Sequence, residues 1–222
     1  MRNRTGPLLC MALAAPLAGC VPGDDHEIAQ MVAAVRPDRA RHTVETLVGF
    51  GTRNTLSDTE HATRGIGAAR RWILSEFERI RAETGGRLVV ETDRFTYGPD
   101  GNRILRPTDI MNVVATLPGR QPASADRIYV ISGHYDSMGS DPKDGACDAP
   151  GADDDASGVA VVLEAARALA GHEFDATIVF MAVAGEEQGL VGSRHWAQQA
   201  RAAKRDIAGM FTNDIVGASR GP

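Results

Sequence analysis

Apolar residues recur at helical spacing over residues 63–81, where Ile66, Ala69, Trp72, Ile73 and Phe77 share one side, so this stretch predicts an amphipathic helix. Gly85-Gly86 ends it. Residues 157–170 predict a second strong helix, with Val159, Val162, Leu163, Ala166 and Leu169 along one side, and residues 190–203 a third. Residues 27–35 and 41–48 read as short helices, with a break at Pro37 between them. Strand-like runs fill the gaps. Residues 87–97 alternate in part, residues 110–117 are apolar and β-branched, and residues 127–131 are apolar and run into Ser132-Gly133-His134. Residues 176–183 read as a buried strand and residues 207–214 as a further one. Strand, helix, strand, helix, strand predicts a three-layer α/β/α fold around a mixed, mostly parallel central sheet. Ligands gather at the carboxyl ends of strands in such sheets, and the unusual polar residues of this chain fall there.

The first twenty residues follow a different pattern. Arg2 and Arg4 precede an apolar stretch, residues 8–17, that is too short to span a bilayer as a helix. Leu17-Ala18-Gly19-Cys20 then resembles a bacterial lipobox. The expectation is a lipoprotein signal peptide over residues 1–19, a lipidated Cys20, a tether over residues 20–26 and one domain over residues 27–222. An ordinary secretory peptide cut elsewhere is the alternative. The chain is thus expected to be exported and lipid-anchored to the cell envelope, or else secreted, with no other membrane contact. Of three cysteines this leaves Cys147 alone, so no internal disulfide is expected. The formal net charge is −5, and no basic block or stripe interrupts it, which argues against a nucleic-acid partner.

The acids instead form short clusters, as cation sites require. Gly133-His134-Tyr135-Asp136-Ser137 lies just past a strand. Gly151-Ala152-Asp153-Asp154-Asp155-Ala156-Ser157-Gly158 lies just before a helix. Gly185-Glu186-Glu187-Gln188-Gly189 again follows a strand, and Asn213-Asp214 closes the last one. Zinc takes imidazole nitrogen and carboxylate oxygen, and a pair of ions roughly 3.5–4 Å apart can share a carboxylate. A further carboxylate that binds no metal must then move a proton from water to the leaving group, and adjacent Glu186 and Glu187 can divide those tasks. His134 and Asp136, two apart at a strand end, can face the same way, so that Asp136 takes the imidazole hydrogen not used for metal. Each element also has a plain structural reading: a strand-end histidine, an acidic helix start, a first-turn acid pair. A calcium-stabilised adhesin fits the acids of residues 141–155, although the EF-hand spacing is absent.

These segments, together with Phe50-Gly51-Thr52-Arg53 and Met111-Asn112-Val113-Val114, resemble those of M28 metallopeptidases, the group of bacterial leucyl-type aminopeptidases. The resemblance runs from about Val44 to Asp214. It implies a zinc-exopeptidase-like fold and a co-catalytic site with two Zn2+, for which Co2+ or Mn2+ can substitute. It implies that His134 and Asp214 bind one ion, Glu187 the other, and Asp154 both, with Glu186 as general base and a non-proline cis peptide after Asp154. The implied substrates are peptides with a free N-terminus. A further histidine ligand is also implied, well beyond Asp214. His26, His42, His61, His172 and His195 do not match its position, so the chain is expected to lack the C-terminal part of the domain. Alternatives are a single-zinc glutaminyl-peptide cyclotransferase, a carboxypeptidase, and a non-catalytic surface binding module of the same fold.

Overall fold

The computed structural model describes residues 23–217. The proposed signal peptide and Cys20 lie outside them. Three helices come first: α1 (Gly23–Ala34), α2 (Pro37–Gly49) and α3 (Gly65–Glu83). Strands β1 (Val89–Tyr97), β2 (Thr108–Leu117) and β3 (Arg127–His134) follow, then an irregular wide turn (Ala152–Ser157) leading into α4 (Gly158–Leu169). Strand β4 (Thr177–Val183), helix α5 (Val191–Ala202) and strand β5 (Asp206–Thr212) complete the order. Residues 23–26, expected to be tether, are the first turn of α1, because no proline between residues 23 and 34 stops the helix extending. Pro37 opens α2 instead of merely separating two helices, since the first helical position needs no N–H.

The sheet runs β1-β2-β4-β3-β5. Strands β4, β3 and β5 are parallel, whereas β2 is antiparallel to both β1 and β4. Only β2 therefore runs against the other four. Strand β3 continues past the apolar run because its ladder with β4 extends to the pair His134 and Val183. The three parallel strands thus end at one rim, and His134, Gly185 and Asn213 all lie at or just past those ends.

Helices α3 and α4 cover one face. Ile66, Ile73 and Phe77 of α3 and Val162 and Leu163 of α4 pack with Ile110, Val113 and Phe180 of the sheet, all buried. Each such side chain contributes about 1.5–3 kcal/mol by leaving water. The other face is thinner: Val114, Val130, Val179 and Met181 are buried, and Trp196 of α5 packs against them. Edge strand β5 is exposed along most of its length, including Met210 and Phe211. No helix among the described residues is long and apolar enough to cross a membrane.

Two glycines let β3 and α4 meet. A Cβ on Gly133 would lie 2.7 Å from the backbone carbon of Gly158, and a Cβ on Gly158 would lie 2.4 Å from the carbonyl oxygen of Asn213. The start of α4 is therefore pressed between the ends of β3 and β5.

On the outer side of α4, Glu164 is almost fully buried and joins α2 to α4. It accepts from the Arg36 N–H at 2.9 Å, from Arg39 at 3.1 Å and from Arg167 at 2.7 Å. Burial alone would raise its pKa, but these three donors hold it below the usual carboxylate range. Glu164→Gln should cost about 1–3 kcal/mol at neutral pH in urea unfolding, because it leaves the buried Arg167 guanidinium and the partly exposed Arg39 against a neutral amide. Since the folded pKa is depressed, this stability is present above about pH 4.3, the unfolded value, and is lost as pH falls through the folded one. The gap between wild type and variant should therefore close in acid, and a gap constant down to pH 2 would contradict the account.

Candidate metal centre

His134 is the last residue of β3 and its ring is 2% exposed. Its Nδ1 bonds the main-chain carbonyl of Asp136 at 3.1 Å. The Asp136 carboxylate, expected to take that hydrogen, stands 3.5 Å away, beyond a normal hydrogen bond. It is engaged elsewhere. Oδ1 accepts the Glu186 N–H at 3.2 Å, and Oδ2 accepts the Glu187 N–H at 3.1 Å and the Thr55 hydroxyl at 3.0 Å. Asp136 thus stands beside the imidazole, as expected of it, while its oxygens also hold two adjacent amides of the turn. Asp136 orients the Glu186-Glu187 turn, and its carboxylate also favours the charged form of His134.

The other ring nitrogen faces acids. Nε2 lies 3.1 Å from Asp154 Oδ1, 3.9 Å from Asp214 Oδ1 and 4.0 Å from Glu186 Oε2. The Asp154 contact lacks hydrogen-bond geometry, so Nε2 is buried without a partner. One ligand atom each from His134, Asp154 and Asp214 fall within 4.8 Å of one another. A buried nitrogen lone pair without a donor, beside two partly exposed carboxylates, is a donor set that a zinc-like cation fits. The acids enforce the same demand on the imidazole itself. Burial would lower its pKa, but Asp136, Asp155 and Glu186 outweigh that and push it up to about 10. The site calls for positive charge at Nε2, whether from a proton or a metal ion.

Glu187 falls outside this group of three. Its carboxyl is nonetheless coupled to it: burial, then the charges of Asp154 and Asp136, push its pKa up to about 7. Glu186 is also raised, first by burial and then by the carboxylates around it. The peptide between Asp154 and Asp155 is cis, as the resemblance implied.

Sequence reasoning missed three supports. Asp155 is fully buried and accepts the His134 N–H at 3.0 Å and the Gly158 N–H at 2.7 Å, so it binds β3 to the start of α4. Burial raises its pKa to about 7. Asp153 Oδ1 accepts the Gly217 N–H at 2.8 Å, and Ser157 Oγ accepts the Val216 N–H at 3.0 Å. These two bonds latch the segment bearing Asp214 to the turn bearing Asp154. Asn112, buried on β2, donates to the Gly192 carbonyl at 3.0 Å and accepts the Ala184 N–H at 3.1 Å, fixing the end of β4 against the start of α5. Nothing in the spacing of Asp153-Asp154-Asp155 distinguishes a brace from a ligand.

The three parallel strand ends and their converging acids make a candidate cation site on an α/β fold. Residues 112–222 match the model of peptidase family M28, and the chain belongs to that family. A protein of Pyricularia oryzae named a probable zinc metalloprotease is 50% identical over 197 residues, which is 89% of this chain and 39% of that protein. This chain spans less than half the length of such curated relatives. Among solved structures, LapB from Legionella pneumophila superposes with a TM-score of 0.64 at 25% identity, over 85% of this chain and 45% of LapB. A glutaminyl cyclase from Porphyromonas gingivalis has the same fold, with a TM-score of 0.65 at 20% identity over 84% of this chain and 63% of its own.

Gly158→Ala should destabilise the chain by about 1–3 kcal/mol, because the new methyl meets a backbone carbonyl that cannot move aside freely. Urea unfolding measures it, and wild-type stability would show that the strand ends are not pressed against α4.

Proposed function

We propose that this chain carries the catalytic core of a two-zinc aminopeptidase that removes N-terminal residues from peptides. The observation that supports it most is the buried, unpartnered Nε2 of His134 facing Asp154 and Asp214. Membership of family M28 and a close relative named a probable zinc metalloprotease favour zinc as the ion. His134 and Asp214 would hold one ion, Glu187 the other, and Asp154 would bridge them. Bound zinc supplies a Lewis acid that polarises the scissile carbonyl and lowers the pKa of the attacking water.

Everything else falls to the chain's own residues. Glu186 is partly exposed, and its Oε2 sits 4.0 Å from the imidazole. A carboxylate with a raised proton affinity beside the reacting centre suits a base that takes a proton from water and returns it to the leaving amine. Asp136 holds the backbone of both glutamates through their amides; in this reading Glu186 stays free of metal, and Glu187, coupled by charge to Asp154, binds it. The surplus of carboxylates also attracts a substrate's free ammonium group. The exported, lipid-anchored setting rests on Arg2, Arg4, the apolar stretch and Cys20 alone.

Elemental analysis of the purified chain, with hydrolysis of leucyl-p-nitroanilide, tests the assignment. Glu186→Gln should keep its zinc and lose about 10²- to 10⁴-fold in rate. His134→Ala should lose zinc as well as activity. One zinc per chain with cyclisation of a glutaminyl peptide would replace the aminopeptidase by a cyclotransferase. A folded protein without transition metal in any length of chain would favour a binding module.

A further inference from the structure

Arg53 is the largest fully buried side chain of the described residues, at 0% exposure. A buried arginine is normally paired with an acid. This one is not: among the described residues, no carboxylate lies within ion-pair distance of its guanidinium. It donates only to main-chain carbonyls. Nε reaches Tyr135 at 2.7 Å, one terminal nitrogen reaches Leu47 at 3.1 Å and Pro150 at 2.6 Å, and the other reaches Gly151 at 2.8 Å.

Those carbonyls belong to three segments. Leu47 lies in the last turn of α2. Tyr135 stands between His134 and Asp136. Pro150 and Gly151 immediately precede the turn that carries Asp154. Ser137 adds a second tie between the same parts: its Oγ accepts the Arg53 N–H at 3.1 Å and donates to the Ala149 carbonyl at 2.7 Å. Gly151 is left-handed, at φ +47°, and a Cβ there would lie 2.8 Å from the guanidinium and 2.6 Å from Ser137 Cβ. The turn is therefore seated directly on this pair, with no room for slack.

We propose that Arg53 is the positioning residue that sets the separation between the His134 strand end and the Asp154 turn, and with it the affinity of the centre for its cation. This rests on the metal assignment made above. A flat, forked donor suits the task, because it reaches carbonyls in several directions at once. Lysine offers its hydrogens from a single point and cannot reach all four. The positive charge is also felt by Asp136, Asp155 and Asp154, and balances part of the acid cluster.

Amide hydrogen exchange by mass spectrometry, on the whole chain without metal, separates positioning from general stability. In Arg53→Lys, exchange should rise about tenfold or more at residues 135–137 and 149–158, from the loss of one or two charge-assisted bonds, while β1 and β2 stay unchanged. A merely structural role would raise exchange everywhere alike. Titration with Co2+ alone should show affinity lower by about 10- to 100-fold and an altered visible spectrum. Wild-type exchange at these segments, a uniform rise, or wild-type cobalt affinity and spectrum would overturn the proposal. If Arg53→Lys does not fold, Ser137→Ala decides: it should loosen residues 149–158 to a smaller degree, and unchanged exchange there would overturn the proposal. If the wild-type chain takes up no cobalt, the metal assignment falls, and the exchange data still decide whether Arg53 positions these segments.

Discussion

The site depends on what the Asp136 carboxylate does. It is fully buried, and it accepts two successive amides from one turn and a hydroxyl from the loop after α2. A buried carboxylate is tolerated only when donors satisfy it, so this group dictates the path of the turn at residues 185–189. Without it the two glutamates would have no reason to diverge, one toward the imidazole and one toward Asp154. The backbone path of the pair is thus set by a residue that binds their amides.

Around that point the centre is assembled from pieces distant in sequence. Parallel pairing brings the ends of β3, β4 and β5 to one rim, and glycine at 133 and 158 lets α4 start hard against it. Asp155 ties strand to helix, and Asp153 and Ser157 tie the helix start to the segment after β5. Several acids thus work as struts in a cluster whose net charge looks suited only to holding cations. The high proton affinity of His134 follows from that crowding.

Much of this was legible beforehand. Helical spacing of Ile66, Trp72, Ile73 and Phe77, and of Val159, Val162 and Leu163, located α3 and α4 because one face of each meets the sheet. The β-branched runs located the strands, and the polar residues at their ends located the rim. Direct partners were not legible. Period-two geometry puts Asp136 beside the imidazole, but gives no sign of the amide donors that folding brings to it from fifty residues away. Asp155 and Asn112 were hidden for the same reason: a side chain that braces backbone leaves no periodic or compositional trace. The start of α1 was missed because helix boundaries depend on local competition that spacing does not capture.

Asp214 sits just past β5, which pairs only with β3 among the described strands. One of the three converging ligand atoms therefore comes from a segment tied in by the β3 ladder and by the bonds from Asp153 and Ser157. Any ion that needs Asp214 binds only molecules in which that strand is docked, and so draws the population toward them by mass action. Docking of β5 and the meeting of Asp214 with His134 are then two readings of one equilibrium, and an ion held there would fasten the strand as much as serve any chemistry.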